Sequence, residues 1–142
     1  MKPRNVFFIC VTLLCFCGVG CDDCDDCLDL QQKNILVQDA EGNNLLFGEG
    51  ARFDPATVTI RLESGPPQSV FVEEETQTVL FFLEDNQTNY ILELDDATSA
   101  NLTFELGERE SERCCGNQVY STSTRLDGSE IPNENRITLL VP

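Results

Sequence analysis

Val58-Thr59-Ile60-Arg61-Leu62-Glu63-Ser64-Gly65-Pro66-Pro67 carries the pattern on which the reading of the fold turns. Val58, Ile60 and Leu62 fall on one side of an extended chain and Thr59, Arg61 and Glu63 on the other, the period of two expected of a half-buried strand. Ser64-Gly65-Pro66-Pro67 must end it, because proline has no N–H to give to a sheet ladder. The same punctuation recurs about every ten residues on both sides. Towards the N-terminus, Asn34 to Gln38 reads as a strand, followed by a turn at Glu41-Gly42-Asn43-Asn44, where Gly and Asn tolerate positive φ.

Towards the C-terminus, strands are expected at Val70 to Glu73 and Thr78 to Leu83, the second apolar enough to be central. Asp85-Asn86-Gln87-Thr88-Asn89 is a turn, Tyr90 to Leu94 a strand, and Asp95 to Ser99 another turn. Leu102, Phe104 and Leu106 alternate with Thr103 and Glu105. The charged run Glu108 to Arg113 reads as an exposed loop, and Gln118 to Leu126 as a more polar strand at an edge or facing solvent. Leu126-Asp127-Gly128-Ser129 is a hairpin turn signal, and Ile137, Leu139 and Val141 mark a last strand. Seven to eight short strands without a helix predict an all-β fold, a single antiparallel β-sandwich.

Ahead of this domain the chain has the three parts of an export signal. Lys2 and Arg4 supply positive charge, Val6 to Val19 is uncharged and too short for a membrane span of about 20 residues, and Gly18 and Gly20 provide the small side chains a signal peptidase accepts. Cleavage is expected before Cys21. The expected organisation is a signal peptide at 1–20, a Cys- and Asp-rich tether at 21–33 and the β-sandwich at 34–142.

Gly18-Val19-Gly20-Cys21 resembles the lipobox of bacterial lipoproteins, with Gly18 where that motif usually has Leu. The resemblance implies lipidation at Cys21 and attachment to the membrane through two or three acyl chains, each buried methylene contributing about 0.8 kcal/mol. Asp22, Asp23, Asp25 and Asp26 are similar to the acidic run behind the lipidated Cys in lipoproteins of the Bacteroidetes, which implies export to the surface of the outer membrane. In enteric bacteria an Asp directly after the Cys looks instead like a signal for retention at the inner membrane, so the leaflet depends on the organism. Ile35-Leu36-Val37-Gln38-Asp39-Ala40-Glu41-Gly42-Asn43-Asn44-Leu45, with Val58-Thr59-Ile60 beyond it, resembles the opening hairpin of transthyretin-like and carboxypeptidase-regulatory-like domains. Taken whole, the chain is similar to small Bacteroidetes lipoproteins that combine a Cys-rich tether with a late Cys-Cys-Gly. That resemblance implies a location and no activity.

Charge narrows the partners. Nine basic residues less Lys2 and Arg4 leave seven against 25 acidic ones after cleavage, a formal charge of −18, which repels nucleic acid and anionic headgroups. The membrane is to be reached through the lipid on Cys21, and a protein at the cell envelope is the expected partner. The mature 122 residues can bury roughly two thirds of their unfolded surface, so the core does not require crosslinks.

Once Cys21 is lipidated, Cys24, Cys27, Cys114 and Cys115 remain, and an exported chain favours disulfides among them. Four thiols allow three connectivities. Bonding adjacent Cys114 to Cys115 is strained, because neighbouring Cα atoms lie about 3.8 Å apart and disulfides prefer about 5.5 Å. Crosslinks from the N-terminal pair to the late pair are the favoured arrangement. The alternative is a metal- or redox-active protein using the same four residues, since Cys21-x-x-Cys24-x-x-Cys27 has thiolate-ligand spacing. Without histidine, a Ser-His-Asp triad or a His-type metal hydrolase cannot form within the chain. Asp95-Asp96 is a carboxylate pair of the kind glycosidases use, yet 25 acidic residues make pairs inevitable, and Tyr90 and Tyr120 without Trp make a poor sugar platform. Asp39-x-Glu41-Gly42-Asn43 and Asp85-Asn86-x-x-Asn89 are partial oxygen cages for calcium that turn chemistry equally explains. The expectation is a non-catalytic module without cofactor. Asn86-Gln87-Thr88 and Asn101-Leu102-Thr103 fit the N-glycosylation pattern, which matters only in a eukaryotic secreted chain.

Overall fold

The computed structural model describes residues 31–63, 65–110 and 116–142. These form ten strands: β1 (Gln32–Gln38), β2 (Thr59–Leu62), β3 (Pro67–Ser69), β4 (Phe71–Glu73), β5 (Thr78–Phe82), β6 (Asn89–Glu93), β7 (Ser99–Glu110), β8 (Asn117–Leu126), β9 (Ser129–Ile131) and β10 (Arg136–Leu140). They make a four-stranded sheet of order β10-β1-β5-β4 and a six-stranded sheet of order β3-β2-β6-β7-β8-β9. The two pack face to face as a β-sandwich. Three strands of three residues each, β3, β4 and β9, raise the number above the expected seven to eight. All pairings are antiparallel except that of β1 with β10, which runs parallel from Asn34↔Arg136 to Gln38↔Leu140.

The period of two sorts the core. Ile35 and Val37 of β1, Ile60 of β2, Val79 and Phe81 of β5, Tyr90 and Leu92 of β6, Ala100, Leu102 and Phe104 of β7, and Ile137 and Leu139 of β10 fill the space between the sheets. Phe81, Tyr90 and Phe104 form an aromatic cluster at one end, with centroid separations of 5.3, 5.6 and 6.2 Å and tilted or edge-on rings, which aromatic quadrupoles favour. The Tyr90 hydroxyl accepts the Glu84 N–H at 2.8 Å, so its polar tip is satisfied where the β5–β6 turn begins.

The edges of the two sheets are joined by the chain itself. Pro67 stands at the first position of edge strand β3, where its missing N–H costs no ladder bond. One residue, Val70, then carries the chain from β3 in one sheet to β4 in the other. On the opposite side, residues 132–135 carry it from edge strand β9 to edge strand β10. Between them, Asp127 and Gly128 have φ of +47° and +81°, as the tight β8–β9 hairpin requires.

The expected exposed loop at Glu108 to Arg113 is corrected in part. β7 runs to Glu110, pairing Glu108, Arg109 and Glu110 with Val119, Gln118 and Asn117. The charge run points to a loop because Glu108, Arg109 and Glu110 are exposed and carry no apolar alternation, although their partners Val119 and Gln118 are buried. β8 is not an outermost strand, being flanked by β7 and the short β9, and along it Asn117, Thr122 and Arg125 are the exposed residues. An irregularity between Glu105 and Leu106 leaves Thr122 as the extra residue on β8. This shifts the inward set from Val119 and Ser121 to Thr124, the flip that a one-residue slip imposes.

Candidate functional site

Cys21, Asp22, Asp23, Cys24, Asp25, Asp26, Cys27, Cys114 and Cys115 lie outside the described residues. What is described is where the chain joins them. Gln31 accepts the Leu83 N–H at 2.9 Å beside the β5–β6 turn, and Thr88 at the far side of that turn accepts the Phe104 N–H at 2.8 Å. β7 continues past Phe104 to Glu110, and β8 returns from Asn117. The β7–β8 hairpin therefore projects from the same end of the sandwich at which β1 begins. The other end of β5 belongs to the Glu73–Thr78 turn, since Gln32 pairs with Phe82 and Glu73 with Thr78.

A buried polar cluster sits at the β1 end. Lys33 falls in phase with Ile35 and Val37, so its side chain enters the sandwich and the residue is 1 % exposed. Its ammonium donates to Ser121 Oγ at 2.7 Å and to the Glu134 carbonyl at 3.3 Å, and lies 5.8 Å from the centroid of Phe104. Ser121 Oγ and Thr124 Oγ1 both donate to Asn133 Oδ1 at 2.8 Å, while Asn133 Nδ2 donates to the Ser121 carbonyl at 2.8 Å. The cluster thus ties β1 of one sheet, β8 of the other and the β9–β10 crossover into one unit. Burial lowers the Lys33 pKa from its usual 10.5. The strand expected from Asn34 begins two residues earlier; a lone lysine ahead of an apolar alternation reads as a flank. The signal was its phase.

Two of the carboxylates weighed as catalytic or calcium groups, Asp39 and Asp95, are engaged in turns. Asp39 accepts from the Asn43 side chain and from the backbone N–H groups of Asn43 and Glu41, and these bonds, the Asn43 side chain first, hold its pKa below 3.8. Asp95 accepts the backbone N–H groups of Ala97 and Thr98 at 2.9 and 2.6 Å, and its pKa is lowered as well, the Ala97 bond contributing most. Asn86 takes φ of +65° in the β5–β6 turn. Asp95 and Asp96 border an open groove of about 640 Å³ lined also by Thr57, Thr59, Glu93 and Ser99. Glu93 is ion-paired to Arg61 and accepts the Thr59 hydroxyl. Asp95 is thus held by backbone amides and Glu93 by a guanidinium. Among the described residues, no three Asp, Glu, Cys or His side chains converge as metal ligands.

The surface feature that composition did not mark is on β4. Phe71 and Val72 are 61 % and 41 % exposed on the last strand of the four-stranded sheet. The Phe71 ring stands edge-on to Phe82 at 5.9 Å, and the acidic run Glu73-Glu74-Glu75 follows at once. Among the described residues, no helix is long and apolar enough to cross a membrane. Compared with family models, with curated proteins and with solved structures, the chain matches none of them.

Proposed function

We propose that this chain is an exported bacterial lipoprotein, anchored in the outer membrane through Cys21, whose acidic β-sandwich is displayed as a non-catalytic module for a protein partner at the cell envelope. The observation that carries this reading is the opposition of Gln31 and the Glu73–Thr78 turn along β5. A tether entering at Gln31 leaves the acidic Glu73–Thr78 turn on the side away from the membrane, with Phe71 and Val72 along the sheet edge between the two ends.

In this reading Cys24 and Cys27 are crosslinked to Cys114 and Cys115, clamping the tether onto the β7–β8 hairpin. Chain lengths support it. Lys33 touches Ser121, both chains lead outward from that contact at the same end, and Cys27 precedes Lys33 by six residues as Cys115 precedes Ser121 by six. Loops closed by such bonds are long, and each bond stabilises by about 2–4 kcal/mol when unstrained.

The test is metabolic labelling with a radioactive fatty acid in a bacterial host that processes lipoproteins, beside a Cys21→Ser variant. The reading expects label on the parent and none on the variant, with the parent in the outer-membrane fraction. An unlabelled parent released as free protein contradicts it.

A further inference from the structure

We infer that the open edge of β4 takes up an extended, lysine- or arginine-bearing segment of a partner protein as an added strand, an inference that rests on the display-module reading above. Successive residues of a strand point to opposite faces. Phe71 pairs with Leu80 and stands on the outer face of the sheet, whereas Val72 pairs with Val79, a residue of the core between the sheets. Both are nevertheless exposed. A flat partner laid on the outer face covers Phe71 and leaves Val72 in water, and a side chain inserted between the sheets does the reverse. A strand running along the edge reaches both while pairing with the backbone groups that β4 leaves open among the described residues.

The occupant's charge follows from what comes next. Glu73, Glu74 and Glu75 lead out of β4, Glu74 and Glu75 are exposed, and the ion pairs among the described residues, Arg61 with Glu93 and Arg125 with Glu105, leave all three unneutralised. A segment alternating apolar and basic residues matches this edge. A second copy does not, because it brings no basic residue to this edge: in antiparallel pairing about a two-fold axis at Val72 each Glu73 falls opposite Phe71 of the other copy, and the acidic runs stay unneutralised between two strongly acidic chains. The other open edge of this sheet offers less. On β10, Leu140 is 66 % exposed, but its neighbours Leu139 and Val141 are buried, so only one face of that strand presents apolar surface.

Three short labelled peptides test this on the mature chain in detergent: alternating valine and lysine, alternating valine and glutamate, and alternating proline and lysine of the same charge as the first. Anisotropy reports binding and amide hydrogen exchange reports its place. The valine–lysine peptide is expected to bind and to slow exchange at Phe71 to Glu73, and the other two are not. Val72→Lys should weaken that binding by about tenfold or more while exchange in β5 stays slow, which separates lost contact from lost fold. Equal binding of the proline–lysine peptide, protection on β10 instead of β4, or no binding overturns the inference, as does self-association of the mature chain that Val72→Lys abolishes. A labelled, membrane-bound protein that ignores the peptide loses the edge and keeps the display reading; an unlabelled one that binds it loses the anchor and keeps the edge.

Discussion

Lys33 Nζ lies 2.7 Å from Ser121 Oγ, inside the sandwich and across its two sheets. A lysine so buried contributes through its stem and its hydrogen bonds while its charge is desolvated. Lys33→Ala should destabilise by about 2–4 kcal/mol through the cavity and the lost hydrogen bonds to Ser121 Oγ and the Glu134 carbonyl. Lys33→Met, which keeps the stem, should fall within about 1.5 kcal/mol of the parent. Urea unfolding of both variants checks the order.

The same residue predicts an alkaline signature. Folding lowers the Lys33 pKa from 10.5, so between the folded value and 10.5 the unfolded chain binds more protons and stability rises with pH. Tyr90 acts oppositely, because burial raises its pKa above 10.0 and folded stability falls once the unfolded tyrosine ionises. Tyr90 is common to the parent and Lys33→Met, so the difference between their unfolding midpoints isolates the lysine. That difference should move in the parent's favour as pH approaches 10.5, and a constant difference contradicts a desolvated amine.

Acid acts through Asp39 and Asp95. Both have folded pKa values below 3.8, so the stability they lend is complete above the unfolded value and is lost as pH falls through the folded one. Asp39→Ala and Asp95→Ala should each be less stable than the parent at neutral pH and should lose less on acidification. Thermal midpoints at neutral pH and at about pH 2 read this directly.

Gly107 pairs with Tyr120 in the β7–β8 hairpin, and a Cβ at Gly107 would meet Thr122 Cγ2 and Tyr120 Cζ at 2.9 Å. Gly107→Ala should cost about 1–3 kcal/mol, and part of that cost should vanish in a Tyr120→Ala background, where the ring no longer blocks the new methyl. A full cost in both backgrounds would place the strain elsewhere.

Much of the sandwich was legible because half-buried strands sort their residues by a period of two, as at Val58 to Leu62 and Leu102 to Leu106. Turns were legible where backbone demands were strict: Asp127-Gly128 both take positive φ, and Asp39 and Asp95 fold their carboxylates onto nearby amides. The parallel pairing of β1 with β10 was not, since about a hundred residues separate Asn34 from Arg136 and no local pattern encodes which edge a last strand joins. Nor was the crossover at Val70, where a seven-residue stretch that reads as proline-bounded turn and strand serves both sheets. Of the candidate sites, the Lys33 cluster was present in the sequence only as a phase relation. The exposed Phe71–Val72 pair looks like any apolar strand until its neighbours are known. The cysteine and aspartate signals of the tether stand on the sequence and its resemblances.

The central claim, an anchored module clamped to its tether, is tested most directly by intact mass spectrometry of the protein from a lipoprotein-processing host, alkylated before and after reduction. The account predicts a chain starting at Cys21 with added acyl chains and four further alkylations that appear only after reduction. An unacylated chain, or four thiols that alkylate without reduction, would contradict it.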